Sequence, residues 1–433
     1  MKNKLLGDWE VVRSWLPEDW QGEARRSGAF ERGRKIKTPE ALLKLLLFRV
    51  CGGSLRKTAM HAGVRGSQKV SDVAILKRQR ASSAWLRGMI AGLLIGFKIK
   101  LKAPDWLAGY HVRVVDATVV TEPTRAHSKW RIHYGYDLFG MRCDYLLVSD
   151  GDVGETLKHF PVEPGDLIIG DRLYASLAGM WYVRRRGGDF ILRMRNKAFQ
   201  YYPAASSGEI NLLQRLRGLK PHQIKEWTLR IQASDYDPLL VRVCAFRLTD
   251  REAAKAQRRA EQAAQKDGRQ LAPETQELQR YVVLVTSVAS EKLSTIQILQ
   301  LYRARWQIEI AFKRLKTLMG VGKLPCRTEA SSSSWLLGKM LVALLVQRLI
   351  DEGRYVSLHE MGLIGDDVAS AEIEWEGNIW REVEFAYSLL KAIVERSEKL
   401  WEILRKWFSL IRALAERPRR RRRQTRVLLG CLS

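Results

Sequence analysis

The sequence predicts an α/β protein: a mixed β-sheet core carrying a β-rich insertion, with helical regions on both sides. Three observations carry this. Residues 111–195 alternate strand-length apolar runs with helical stretches. Residues 196–280 break that pattern with antiparallel-type alternation. Residues 1–105 and 331–433 read as helix.

The N-terminal region, 1–105, starts a helix at Thr38-Pro39-Glu40, with Thr as N-cap and Pro at the first position. That helix runs Ala41 to Val50 and stops at Gly52-Gly53. A second runs Ser54 to Ala62, and a third, Ser71 to Arg80, carries Lys77, Arg78 and Arg80. Residues 54–80 therefore form a candidate helix-turn-helix with DNA-binding Lys77, Arg78 and Arg80. A plain helical bundle fits the same pattern.

The first part of the core, 106–195, opens on a β-rich run from His111 to Val120. Strands are expected at Arg131–Asp137 and Asp144–Ser149, and a short helix within Gly151–Phe160. Leu167-Ile168-Ile169-Gly170-Asp171 is a continuous apolar run ending in an acid, as in a buried parallel strand. A helix from Leu173 to Arg186 and a strand from Phe190 to Arg195 follow. This element order is that of a ribonuclease-H-like sheet.

The insertion, 196–280, offers strands at Lys225–Ile231 and Leu239–Leu248 and an exposed helix or linker from Asp250 to Gln270. The second part of the core, 281–330, returns with a strand at Tyr281–Thr286. The C-terminal region, 331–433, is helical at Trp335–Ile350 and Glu382–Ala415. It ends in a basic tail, Arg417-Pro418-Arg419-Arg420-Arg421-Arg422-Arg423, able to hold phosphates without reading sequence.

The richest stretch is Tyr302 to Lys316, expected as one helix. At about 100° per residue, Tyr302, Arg305, Glu309 and Lys316 share one stripe between apolar flanks. Leu301, Ala304, Ile308, Phe312 and Leu315 lie on one side; Trp306 and Ile310 lie on the other. Arg303, Gln307 and Arg314 read as a solvated strip. One carboxylate beside two cations and an aromatic suits a metal ion next to a phosphate. Two more acids complete the pattern. Asp116 interrupts an apolar strand, where a charge is costly unless paired or metal-bound; capping a turn is its ordinary alternative. Asp171 ends a strand where ligands gather in α/β sheets; capping the next helix is its alternative.

The spacing Tyr-x2-Arg-x3-Glu-x6-Lys resembles the YREK signature of cut-and-paste DDE transposases of bacterial insertion sequences (the insertion-sequence-4-like family). Val-Asp-Ala-Thr around Asp116 resembles that family's first acidic motif. Gly-Asp-Arg-x-Tyr, with Asp171, Arg172 and Tyr174, resembles the second. The resemblance covers roughly residues 110–320. It implies a ribonuclease-H-like catalytic core interrupted by a β insertion. It also implies a catalytic and metal-binding triad of Asp116, Asp171 and Glu309, with two Mg²⁺ (or Mn²⁺) ions. Oxygen donors suit such ions; Cys or His would not. The further DNA contacts are Tyr302, Arg305, Lys316, Arg172 and Tyr174. Tyr281 stands where the best-known relatives place Trp, and is expected to stack on an extruded base. The implied activity is cleavage at transposon ends through a hairpin, then strand transfer into target DNA within a homodimer. A nuclease without strand transfer and an inactive DNA-binding derivative are the rivals.

Composition agrees with a polyanionic partner. Lys+Arg is 74 against 47 Asp+Glu, a formal net charge of +27. The 46% hydrophobic content indicates a globular chain. Cys51, Cys143, Cys244, Cys326 and Cys431 form neither a CxxC nor a Cys/His cluster, so reduced thiols and no zinc are expected. No apolar leader is expected from the first ten residues, and the Trp335–Ile350 run carries Lys339, Gln347 and Arg348. A cytoplasmic, nucleoid-associated protein is the expectation.

Overall fold

A computed structural model of the chain describes residues 8–64, 70–121, 128–194, 199–233, 236–322, 324–326, 328–362, 371–373 and 378–395. The arginine run, Cys431 and the end of the expected helix to Ala415 lie outside them.

Six helices come first: α1 (Asp8–Ser14), α2 (Trp20–Arg26), α3 (Pro39–Val50), α4 (Leu55–Val64), α5 (Asp72–Arg80) and α6 (Ser83–Leu93). Thr38 caps α3, accepting from the Ala41 amide at 3.0 Å. Ser71 caps α5 in the same way. After β1 (Ile99–Leu101), the core strands are β2 (His111–Thr121), β3 (Ser128–Asp137), β4 (Arg142–Asp150), β5 (Asp166–Gly170) and β6 (Asp189–Arg193). The expected short helix is a single 3₁₀ turn, Leu157–His159. Helix α7 spans Leu177–Arg184, later than expected, because Ser176 rather than an upstream residue caps it.

The middle of the chain adds β7 (Gln200–Pro203), α8 (Leu212–Arg217), β8 (Ile224–Ala233), β9 (Tyr236–Arg247), α9 (Asp250–Lys266), α10 (Pro273–Leu278) and β10 (Tyr281–Thr286). These strands do not build a separate sheet. The order is β4-β3-β2-β5-β6-β10-β9-β8-β7, nine strands in one mixed sheet. Pairing is parallel between β2, β5 and β6 and antiparallel at every other junction.

The expected helix from Tyr302 is two: α11 (Thr295–Ala304) and α12 (Trp306–Thr317). The amide of Arg305 bonds the Tyr302 carbonyl, and that of Ile308 bonds the Arg305 carbonyl. These are three-residue bonds, tighter than the α-helical ladder, and they break the helix at Arg305. Gln307 and Arg314, expected in a solvated strip, are buried, while Trp306 is 59% exposed. The break re-aims α12 relative to a continuous wheel.

Helices α13 (Glu329–Glu360) and α14 (Ile379–Val394) complete the fold, with β11 (Ala371–Ile373) beside β1. Among the described residues, α13 is the helix long and apolar enough to cross a membrane, but 94% of its most apolar window is buried inside the protein. Its polar side chains close backbone bonds elsewhere. Asp351 accepts from the Lys98 and Ile99 amides at 2.8 and 2.9 Å. Gln347 accepts from the Cys143 amide and donates to the Tyr134 hydroxyl. Cys51, Cys143, Cys244 and Cys326 are buried thiols.

Arg354 on α13 and Glu382 on α14 form a bidentate pair at 3.0 and 2.7 Å. Glu382 is fully buried. Removing the carboxylate strands a buried guanidinium, so Glu382→Ala should cost about 3–5 kcal/mol of stability in denaturant unfolding. A loss under about 1 kcal/mol would mean that the pair does not tie α14 down.

Candidate active site

The pairing register sets the site. In the parallel pair β2/β5, Val112 faces Leu167 and Val114 faces Ile169. Two places further on, the same register sets Asp116 level with Asp171. In β5/β6, Ile169 faces Ile191 and Gly170 faces Leu192, so the next level joins Asp171 to Arg193. Adjacent strands lie about 4.8 Å apart. Asp116, Asp171 and Arg193 thus form a row across three strands. Their side chains alternate in phase with Val114, Ile169 and Ile191, on the sheet face that packs against α12 and α13.

Helix α12 closes over this row. Arg305 lies 3.6 Å from Asp116 and is hydrogen-bonded to Glu309 one turn along. One guanidinium joins the acid of the sheet to the acid of the helix. Burial opposes its charge, but Tyr302, Glu309 and Asp116 hold its pKa above the ordinary arginine value.

Asp116 is half-buried, and burial raises its pKa to about 7. The Ala117 amide, donating at 2.8 Å, and the Arg305 charge oppose the rise; Asp171 adds to it. Asp171 accepts from the Leu173 amide at 2.7 Å in a local turn rather than capping α7. Glu155, beside Arg131 at 4.0 Å, is a further carboxyl in this neighbourhood. Its pKa is raised by burial and by Asp171.

Arg193 was not among the residues singled out from sequence. It is partly buried and makes no ion pair among the described residues. Burial lowers its pKa, while Tyr302 and Asp171 support its charge and Arg172 and Arg305 oppose it. A cation desolvated without a carboxylate partner is placed for an anionic ligand. The available signal was its place at the end of an apolar strand, the pattern that picked out Asp171. Tyr302 lies among Arg305, Arg193 and Asp171, its pKa raised by burial. Lys316 is exposed and lies near Gly322, whose carbonyl receives the Thr121 hydroxyl at the far end of β2. Arg172 is exposed beside Asp171.

Two expected DNA contacts do not fit. Tyr281 is 4% exposed and packs with Val283 and Val285 on the opposite face of the sheet, with the Arg247 guanidinium 5.2 Å from its ring. Alternate side chains of a strand point to opposite faces, and Tyr281 falls on the wrong one to meet a base. Tyr174 is fully buried in the same core, against Phe160. The basic residues of α5 are partly spent internally. Arg80 donates to Ser331 at 2.9 Å and Arg78 lies 3.7 Å from Glu31, while Lys77 is exposed.

Among the described residues, no three acids, histidines or cysteines are already gathered as a metal cage. The donors nevertheless suit a hard divalent cation. Asp116 and Asp171 face each other at one level, and their mutual repulsion raises the Asp116 pKa. A cation between hard oxygen donors would relieve it.

Asp116 also makes stability depend on pH. Its folded pKa lies near 7, above the ordinary 3.8, so the folded state keeps a proton that the unfolded chain releases. The stability this lends is full below about pH 4 and is lost as pH rises through 7. Without divalent ions, Asp116→Asn should gain about 2–4 kcal/mol over wild type at pH 8 relative to pH 5. Equal wild-type and variant pH dependence in denaturant melts would refute the shift.

Comparison with known proteins gives the family. Residues 107–345 match the family model described as a transposase DDE domain. The chain is 29% identical over 352 residues to the transposase for insertion sequence element IS421 of Escherichia coli, covering 79% of this chain and 94% of that one. It is 27% identical over 286 residues to the transposase for insertion sequence element IS231F of Bacillus thuringiensis subsp. israelensis, covering 58% of each. Among solved structures, the piggyBac transposase synaptic complex with hairpin DNA, from cryo-EM, aligns over 94% of this chain and 86% of that chain. Its TM-score is 0.45 at 10% identity, too slight a likeness to fix a fold. With the family model spanning more than half of the chain, over the strands and helices that build this site, the protein belongs to the DDE transposase family, which cleaves DNA and transfers strands using divalent metal ions.

Proposed function

We propose that Asp116, Asp171 and Glu309 are the acid triad of this transposase, within a ribonuclease-H-like core made by β2 to β6, and that the chain is of the YREK, insertion-sequence-4-like type. The carrying observation is the Arg305 bridge, which ties Glu309 of the helix to Asp116 of the sheet. The three acids would hold Mg²⁺ or Mn²⁺, two ions in the working site. Such ions supply charge neutralisation at the attacking and leaving oxygens.

This chain's own cations do the rest. Arg193 and Arg305 flank the acids and would grip the phosphate, Arg305 by its planar fork. Tyr302 would bond the same phosphate, and Lys316 and Arg172 would hold neighbouring ones. Residues 1–105, with the helix-turn-helix candidate, would bind the transposon end. The strands of 196–280 are the insertion. The reaction would run through a hairpin on the transposon end to strand transfer in a homodimer, in a cytoplasmic, nucleoid-associated setting.

For the base-stacking role, Trp306 replaces Tyr281. It is exposed and next to Arg305. Stacking on an aromatic is worth about 1–3 kcal/mol per base. On a pre-nicked end, Trp306→Ala should slow hairpin formation roughly 5- to 150-fold while the first nick proceeds. Tyr281→Phe should leave both steps unchanged. A hairpin defect in Tyr281→Phe with none in Trp306→Ala would reverse this assignment.

The direct test of the triad uses purified protein, labelled duplex ends and Mg²⁺. Asp116→Ala, Asp171→Ala and Glu309→Ala should each abolish cleavage and leave end binding within about twofold. Normal cleavage by Asp116→Ala would overturn the assignment. Cleavage by wild type without any strand joining would favour a nuclease. No cleavage at all would favour a DNA-binding derivative.

A further inference from the structure

Helix α9 is the longest helix of the middle region. It rises from β9 through a full capping box, in which Thr249 and Glu252 bond each other's backbone. At about 100° per residue, Arg251, Lys255, Arg258, Arg259 and Lys266 fall within an arc of about 100°. All five are exposed, and among the described residues none has a carboxylate partner. Ala253, Ala256, Ala260 and Ala264 occupy the opposite face. Ala253 is buried there.

Asp250 and Glu261 lie off the basic stripe, and Glu252, at its edge, is taken up by the helix cap. Asp250 pairs with Arg247 at 3.1 Å. Glu252 accepts from the Thr249 hydroxyl at 2.8 Å. Glu261 accepts from Gln276 at 2.7 Å. A solvated face of ordinary composition would mix both signs. This one runs from Arg251 to Lys266, about 22 Å, with the capping Glu252 its one carboxylate and at its edge.

The stripe begins at the edge of the sheet that carries the acids: β9 runs parallel to β6, and Arg193 and Cys244 both pair with Leu284 of β10, so the end of β9, from which α9 leaves, passes the level of Arg193 two strands away. Glu252, in the first turn, has its pKa lowered chiefly by Thr249, and the charge of Arg303 contributes. Arg303 directly follows Tyr302 in the chain. Arg303 lies on α11, which packs against β6, β8 and β9, and so sets a cation between the candidate site and the start of α9.

We propose that α9 is a phosphate-tracking arm, which holds the same duplex whose scissile phosphate lies at Asp116, Asp171 and Glu309, over about 7 base pairs beyond that phosphate. This rests on the function proposed above and adds a surface to it. Positive charge facing a polyanion at helix length gives affinity without sequence preference. The alternative occupant, a second duplex serving as target, enters as an outcome of the test.

The experiment compares full-length wild type with a variant carrying R251Q, K255Q, R258Q and R259Q. Two end duplexes are used: one trimmed just past the cleavage point, and one extended by about 10 base pairs on both sides. Wild type should bind the extended duplex at least tenfold more tightly, and the variant should lose most of that gain. The slope of log K against log salt on the extended duplex should fall by about 3–4, near 0.9 for each phosphate that is no longer neutralised. A charge-keeping variant, R251K, R258K and R259K, should retain the slope. Circular dichroism and melting of the variant should match wild type, because the altered side chains are exposed. Cleavage of saturating extended duplex by the variant should proceed at the wild-type rate. If the variant gains as much from the extension as wild type, or loses equally on both duplexes, the arm does not exist. If it loses only the capture of a second duplex, α9 serves the target and the proposal is wrong. Failure of wild type itself to cleave would overturn the triad, while the length and salt measurements would still judge α9.

Discussion

One guanidinium organises the centre of this protein. Arg305, at the break between α11 and α12, bonds Glu309 of α12 and reaches Asp116 on the sheet. Without it, two partly buried carboxyls and the neighbouring Asp171 would face one another with only repulsion to share. The helix break at the same residue has a physical sense. A continuous helix would carry Tyr302 and Glu309 at fixed angles on one cylinder. The tight turn at Arg305 lets α11 pack against β6, β8 and β9 while α12 lies over β2.

The sheet and α13 make that centre rigid. β2 is long and buried on both faces for most of its length, and it continues past the end of β5. That overhang leaves Asp116 paired with Tyr134 of β3 on one side and beside the end of β5 on the other, where an acid is tolerable. Behind α12, Tyr134 meets Phe312 edge-on with ring centroids 5.6 Å apart. The Tyr134 hydroxyl receives Gln347 of α13. The chain Asp116, Tyr134, Gln347 and Cys143 thus links the acid's strand partner to the central helix through paired residues and hydrogen bonds. Polar groups on a helix otherwise apolar enough for a membrane become structural joints.

Much of this was legible in the chain, for definite reasons. Asp116 and Asp171 stood out because an acid in or at the end of an apolar run is costly, and Glu309 because helical spacing set it between cations. The strands carrying them were visible from local alternation. Register was not, since pairing between β2, β5 and β6 joins residues far apart in sequence. Arg193 was therefore missed, though it shares a level with Asp171. Parity misled at Tyr281: its place before the last helix was right, but its face of the sheet depends on the β10/β6 register. The insertion's strands looked separate because alternation does not say which sheet a strand joins; β10 pairs with β6 on one side and β9 on the other. The buried Gln307 and Arg314 followed from a helix break that propensity does not announce.

The distribution of charge resolves a conflict that such a site must face. Its reactive centre is acidic, and its substrate is a polyanion. Beside the acids stand Arg305, 3.6 Å from Asp116, and Arg193, level with Asp171, and in the proposed function these cations offset the repulsion that a phosphate would meet there. Over the whole chain, the +27 excess makes the long-range field attractive. Exposed charges are screened within about 8–10 Å at physiological salt, whereas the half-buried Asp116 and Arg305 are screened far less. In the proposed function, capture of DNA would fall to the exposed cations and would weaken with salt. The balance of charge at the acids is set by burial and persists. Binding and chemistry can thus respond to different residues.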